Sequence, residues 1–134
     1  MPSGMSDQQG PGTAFAHFTD SFPSTTADQS AEDVVDSLRG RQFDSASHVA
    51  VCRGDRLIGL VRLEDLLAAP SAALVGELMD DDPPRLAMGD DHEFAAWKAV
   101  HHGESSLAVE DAAGRLLGLI PPHRMLAVLL ARAR

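Results

Sequence analysis

One pattern occurs twice, and it limits what this chain can fold into. The run Val49-Ala50-Val51-Cys52-Arg53-Gly54-Asp55-Arg56-Leu57-Ile58-Gly59-Leu60-Val61 is answered by Leu107-Ala108-Val109-Glu110-Asp111-Ala112-Ala113-Gly114-Arg115-Leu116-Leu117-Gly118-Leu119-Ile120. In each copy an apolar run meets a polar turn, and a second apolar run with one glycine inside it follows. Gly54-Asp55 and Ala113-Gly114 carry hairpin-turn chemistry, so each copy reads as a β-hairpin. Behind each hairpin stands a pair, Leu66-Leu67 or Met125-Leu126, that opens an apolar helix. A repeat of about sixty residues takes precedence over any local reading. A unit of that size buries only about 60% of the surface its unfolded chain exposes and is marginal alone. The two copies in these 134 residues are therefore expected to pack sheet to sheet around one core.

Taken in order, residues 1–22 are rich in Gly, Ser, Gln and Pro and read as a flexible N-terminal arm in which only Phe15, Phe18 and Phe22 could dock. Ser24, Thr25 and Thr26 form a short extended segment before a helix over about 30–39. Ser30 caps that helix, Ala31, Val34, Val35 and Leu38 line one face, and Gly40 ends it. Hairpin strands follow at 48–52 and 56–61, then a two-turn helix, Leu63–Ala69, before Pro70. A hinge over 70–83 contains a helical turn at 75–79 and the triplet Asp80-Asp81-Asp82. A strand at 85–88 precedes a helix over about 91–102, capped by Asp90 or Asp91, with Phe94, Trp97 and Val100 set towards the core. The second hairpin is placed at 105–110 and 115–120, and Pro121-Pro122 lead into a last helix striped by Met125, Leu126, Leu129 and Leu130. Each half thus reads strand, helix, strand, strand, helix.

The formal charge of −9 is spread over both halves, with ten acidic residues in each against five and six basic ones. Neither half carries the Lys/Arg patch that a phosphate backbone demands, so nucleic acid is excluded as a partner. One cysteine, Cys52, rules out an internal disulfide framework, suits a reducing compartment, and reads as a packing residue of its strand. No run approaches the ~18 apolar residues of a membrane span, and the first twenty lack a signal-peptide core. The chain is expected to be cytoplasmic, as a free protein or as the cytoplasmic portion of an inner-membrane one.

This order of elements, with a [DG]-R-L-[IL]-G-L-[VI] hairpin and an apolar helix behind it, resembles the CBS (cystathionine β-synthase) domain. Two in tandem resemble a CBS pair, or Bateman module. The resemblance implies an α+β fold of two β-α-β-β-α units packed about a pseudo-two-fold axis, residues 23–74 forming the first and 75–134 the second. Trp97-Lys98-Ala99-Val100-His101-His102-Gly103-Glu104 and Gly118-Leu119-Ile120-Pro121-Pro122-His123-Arg124 further resemble CBS pairs of MgtE-type magnesium transporters. That likeness implies a homodimer through the Leu66/Leu67 helix and the last helix, and a transmembrane transport domain fused beyond Arg134.

In CBS domains that bind adenosine nucleotides, the segment after the glycine strand reads G-h-h-[ST]-x-x-D. The aspartate accepts from ribose hydroxyls and the Ser/Thr lies near the phosphates. Gly59-Leu60-Val61-Arg62-Leu63-Glu64-Asp65 matches, with Asp65 at the ribose position and Arg62 replacing Ser/Thr. An arginine there can fork onto a phosphate or bridge to Glu64 or Asp65 and close the space. Asp65 reads equally as an ordinary acid in the first turn of a helix. Ser24, Thr25, Thr26, His48 and Val49 are further lining candidates for ATP, AMP or another adenine nucleotide, against capping and core roles. In the second copy Pro121 and Arg124 replace the Ser/Thr and the aspartate, so a ribose site there is not expected.

Two metal readings also arise. Asp80, Asp81, Asp82, Asp90, Asp91 and Glu93 offer the oxygen ligands a hydrated Mg²⁺ accepts. The likeness to MgtE-type proteins implies acidic surfaces that repel until Mg²⁺ bridges them, against the plainer reading of a solvated hinge and helix caps. His92, His101 and His102 could ligate a transition metal, but adjacent helical histidines diverge by about 100°, and a helix C-terminus favours imidazolium without one. No nucleophile elbow, P-loop or H-E-x-x-H is present. The sequence therefore predicts a regulatory, non-enzymatic module. It would sense Mg²⁺ or an adenine nucleotide for a magnesium transporter, act as a free nucleotide-binding protein that modulates an enzyme, or serve as a ligand-free dimerisation module.

Overall fold

A computed structural model describes residues 18–87, 90–91, 97, 101, 106–122 and 124. The first half runs β1 (Ser24–Thr25), α1 (Ala31–Leu38), β2 (His48–Arg53), β3 (Arg56–Arg62), α2 (Leu63–Ala68) and α3 (Val75–Leu78). The second runs β4 (Arg85–Ala87), β5 (Leu107–Glu110) and β6 (Leu116–Ile120), with Trp97, His101, Pro122 and Arg124 helical. Each half builds a three-stranded sheet, β1-β2-β3 or β4-β5-β6. In each the first pair is parallel and the second antiparallel. Both hairpins also carry a register shift at the same step, Val51/Cys52 and Val109/Glu110. The duplicated sequence gives a duplicated fold.

Local chemistry explains the elements. Ser30 Oγ accepts from the Asp33 amide at 3.1 Å, and Glu32 and Asp33 place negative charge at the start of α1. Alternation along β2 then divides the core in two. Val49 and Val51 point with Val61 to one face, where Ala31, Val34, Leu66 and Val75 cover them. Ala50 points to the other face and joins Leu57 and Leu60 against Ala108 and Leu119 of the second sheet, with Phe22, Cys52 and Leu116 at the margin. Helices therefore cover one face of the first sheet while the second sheet covers the other. Ala50 and Ala108 hold equivalent places in the two hairpins, as do Leu60 and Leu119. Equivalent residues meeting at the joint is what an approximate two-fold axis requires.

Each sheet also borrows from the other half. Thr19, ahead of β1, pairs antiparallel with Leu119 of β6, through amide-to-carbonyl distances of 2.8 and 2.9 Å. Asp80, ahead of β4, pairs with Leu60 of β3 in the same way, at 2.7 and 3.0 Å. The exchange accounts for the glycine in each copy of the repeat. A Cβ on Gly59 would lie 2.8 Å from the Asp80 carbonyl oxygen and 2.5 Å from Met79 Sδ. A Cβ on Gly118 would lie 2.5 Å from the Thr19 carbonyl oxygen. Real Cβ atoms do not come so close, so only glycine admits the crossing segment.

Three expectations are corrected here. Residues 18–22, assigned from sequence to a flexible arm, pack on the body: Thr19 is buried, donates from Oγ1 to Asp44 Oδ2 at 2.6 Å, and pairs with Leu119. Trp97, set towards the core, is 55% exposed and stacks on His101 one turn along, with ring centroids 4.1 Å apart. Leu66, expected on a dimer face, is buried in the first half's own core, leaving Leu67 outside at 64% exposure. Phe94, Val100, Met125, Leu126, Leu129 and Leu130 lie outside the described residues.

Candidate functional site

The junction of β3 and α2 gathers the charged groups predicted to hold a ligand. Arg62 ends β3 and caps α2 with its backbone, so Glu64 and Asp65 fall in the helix's first turn. The Arg62 side chain folds back onto both. Its Nε lies 3.1 Å from Asp65 Oδ2, its Nη2 3.3 Å from Asp65 Oδ1, and its Nη1 3.2 Å from Glu64 Oε1. The hydrogen bond to Asp65, then the charges of Asp65 and Glu64, hold the guanidinium above its ordinary range. Of the two options the sequence left open for Arg62, the structure shows the bridge. The group faces solvent, with side-chain exposures of 53% for Arg62 and 44% for Asp65.

His48 sits opposite Arg62 in the β2–β3 register and is buried. Its Nδ1 lies 2.9 Å from Ser106 Oγ and 3.2 Å from Ser47 Oγ. Burial pushes the imidazole below its usual value and Arg62 pushes the same way, against weaker opposing effects of Asp65 and Glu64. Ser106 precedes β5 as His48 opens β2, so the pair joins equivalent positions of the two halves. The sequence reading missed Ser106. The signal was available, because aligning Val51 with Val109 puts Ser106 beneath His48.

The other predicted residues divide. Val49 is fully buried in the core and has no free surface to line a cleft. Thr25 lies in β1 beside Val51, and Thr26 donates from Oγ1 to Asp28 Oδ1 at 2.5 Å, closing its own turn. The structure thus brings together His48, Arg62 and Asp65, with Thr25 and Thr26 one strand away. In the second half Pro121 is buried, and Arg124 Nη2 approaches Asp44 Oδ2 at 3.8 Å.

Among the described residues, no three of His, Cys, Asp or Glu come together as a cation site. Asp80 Oδ1 accepts from the Asp82 amide at 3.0 Å, and Asp90 Oδ2 accepts from the Ala87 amide at 2.9 Å, so both serve turns. Asp81, Asp82 and Asp91 are exposed; Glu93, His92 and His102 lie outside the described residues. His101 turns Nδ1 to the Trp97 carbonyl at 2.9 Å. Cys52 is half-buried beside the inter-sheet core, and burial raises its thiol. On the outer side, α1 and α2 flank an open cleft of about 210 Å³ in which Val35, Arg39 and Leu67 are accessible. No helix among the described residues is long and apolar enough to cross a membrane.

Comparison with known proteins bears on this arrangement. The CBS domain family model matches residues 16–72, starting inside the stretch first read as an arm. No curated protein sequence matches the chain. Among solved structures, the soluble part of a magnesium transporter aligns with a TM-score of 0.83 at 22% identity, covering 94% of this chain and 50% of its own. The cytosolic domain of the Mg²⁺ channel MgtE, solved in complex with ATP, aligns at 0.77 and 24% identity, covering 86% and 48%. The cystathionine β-synthase pair domain of a protein from Shewanella oneidensis MR-1 aligns at 0.72 and 17% identity over 100% of this chain and 90% of its own. The chain spans about half the length of the first two. At these identities the likeness is one of fold, and it covers both halves, whereas the family model covers the first. Residues 16–72 match the CBS domain model, and the two halves together have the fold of a tandem CBS pair.

Proposed function

We propose that this chain is the ligand-sensing part of a divalent-cation transport system and takes an adenine nucleotide beside the β3–α2 junction of its first half. One observation carries the reading. Asp65 presents both carboxylate oxygens at the end of the glycine strand to a pair of N–H donors. A ribose diol would engage the same two oxygens with its hydroxyls. His48 stands across the strand pair from Arg62 and touches Ser106 of the other half, so a ligand at this junction would bear on the joint between the sheets. The nucleotide class draws support from the MgtE cytosolic domain, which was solved with ATP.

The role is regulatory, not catalytic. Mg²⁺ would enter as the counter-ion of the nucleotide's phosphates, or by screening the exposed acids Asp80, Asp81, Asp82, Asp90 and Asp91, whose summed field weakens as cations collect. The partners are a second copy of the chain, docking through α1 and α2 around Leu67, and a membrane-embedded transport domain that feels the change in pair geometry.

Isothermal titration calorimetry with ATP, AMP and Mg²⁺, each alone and combined, tests this on the wild type and on Asp65→Ala. ATP or AMP heat that vanishes in Asp65→Ala is the expected result. Nucleotide heat untouched by Asp65→Ala would remove the site from this junction. Heat from Mg²⁺ alone, with none from either nucleotide, would move the sensing role to the acidic surface.

A further inference from the structure

Arg62 engages its acidic neighbours with all three guanidinium nitrogens, and both Asp65 oxygens accept from it. If a ribose diol is to be held, it must take those same two oxygens. We infer that Arg62 is a built-in occupant of the ribose acceptor, and that it makes the β3–α2 junction select phosphorylated ligands over the bare nucleoside. The inference rests on the nucleotide reading given above.

The selection follows from what each ligand returns to the displaced arginine. Adenosine must break the Arg62–Asp65 fork to reach Asp65, and it offers the guanidinium nothing in exchange. AMP or ATP breaks the same fork but brings phosphate oxygens, for which the planar guanidinium is the best-matched side chain. The exchange is feasible because the existing pair is solvent-exposed on both sides, and such pairs are held weakly. It is also needed for charge balance. Without Arg62, a phosphate arriving at this junction would meet the like charges of Glu64 and Asp65. Arg62 therefore moves from carboxylate to phosphate when the ligand is phosphorylated, and stays put when it is not.

Titration of the 134-residue chain with adenosine, AMP and ATP tests this, using wild type, Arg62→Ala and Arg62→Lys. Arg62→Ala frees Asp65 and is expected to tighten adenosine by up to about fivefold, the scale of an exposed ion pair. It also loses the phosphate contact, so the ratio of adenosine Kd to ATP Kd should fall by about tenfold. Arg62→Lys keeps the charge without the fork and should fall between. Circular dichroism melts establish that each variant is folded. An unchanged adenosine-to-ATP ratio in Arg62→Ala, with ATP still bound, would overturn the inference and leave the nucleotide site standing. Failure of the wild type to bind ATP and AMP at all would instead overturn the underlying reading, and this inference with it.

Discussion

Gly118→Ala should loosen the exchanged segment at the N-terminal side of the fold. The added methyl would sit 2.5 Å from the Thr19 carbonyl oxygen, a backbone atom that cannot swing away as a side chain can. Two outcomes compete. The strands can bend apart, at the cost typical of overpacking, about 1–3 kcal/mol. Otherwise residues 18–20 peel away and forfeit the two amide-carbonyl bonds between Thr19 and Leu119, each worth about 1 kcal/mol. The Thr19–Asp44 bond goes with them. The cheaper route sets the total, about 1–3 kcal/mol, or roughly 4–12 °C in Tm at this size. Urea denaturation of four proteins isolates the cause: wild type, Gly118→Ala, a chain lacking residues 1–20, and the two changes combined. In the shortened chain the clash has no partner, and the alanine should be neutral or gain up to about 1 kcal/mol by restricting the unfolded chain. If Gly118→Ala costs the same with and without residues 1–20, the crossing segment is not the reason for the glycine.

Two further outcomes are expected. His48 is held below its ordinary pKa in the folded chain, so the unfolded chain binds the proton more readily; stability is full above about pH 6.5 and falls as pH drops beneath it, towards the folded value. Urea midpoints at pH 7.5 and 5.5 should differ, and His48→Gln should flatten that difference; an equal slope in the variant would clear His48 of the effect. The adjacent leucines of α2 should separate core from surface: Leu66→Ala should cost about 2–5 kcal/mol, whereas Leu67→Glu should leave the unfolding free energy from urea within about 0.5 kcal/mol and shift sedimentation velocity towards monomer. A dimer undisturbed by Leu67→Glu would place the self-association elsewhere.

Much of the fold was written in local signals. Ser30 three residues ahead of Asp33, turn chemistry at Gly54-Asp55, and strict alternation through Val49-Ala50-Val51 each fix an element from neighbours in the chain. The repeat then supplied the long-range pairing, because two like hairpins with one apolar face apiece had to cover each other. What escaped depended on partners far away in sequence. Thr19 looks like arm until Leu119, a hundred residues on, is seen beside it. Trp97 carried the strongest apolar weight in its window, yet it stacks outward on His101, and periodicity in a short helix cannot tell which face is covered. At the site, Asp65 and Arg62 were legible as a pair with two possible arrangements. Only geometry could show that the guanidinium turns inward to the carboxylate.

The crossed connections have a mechanical result. The strand stub that leads into the first half is sewn to the second sheet, and the one that leads into the second half is sewn to the first. A tug arriving along the polypeptide ahead of Phe18 is therefore delivered to β6, on the far side of the joint, before it reaches β1. Anything attached upstream would have a direct line to the opposite half.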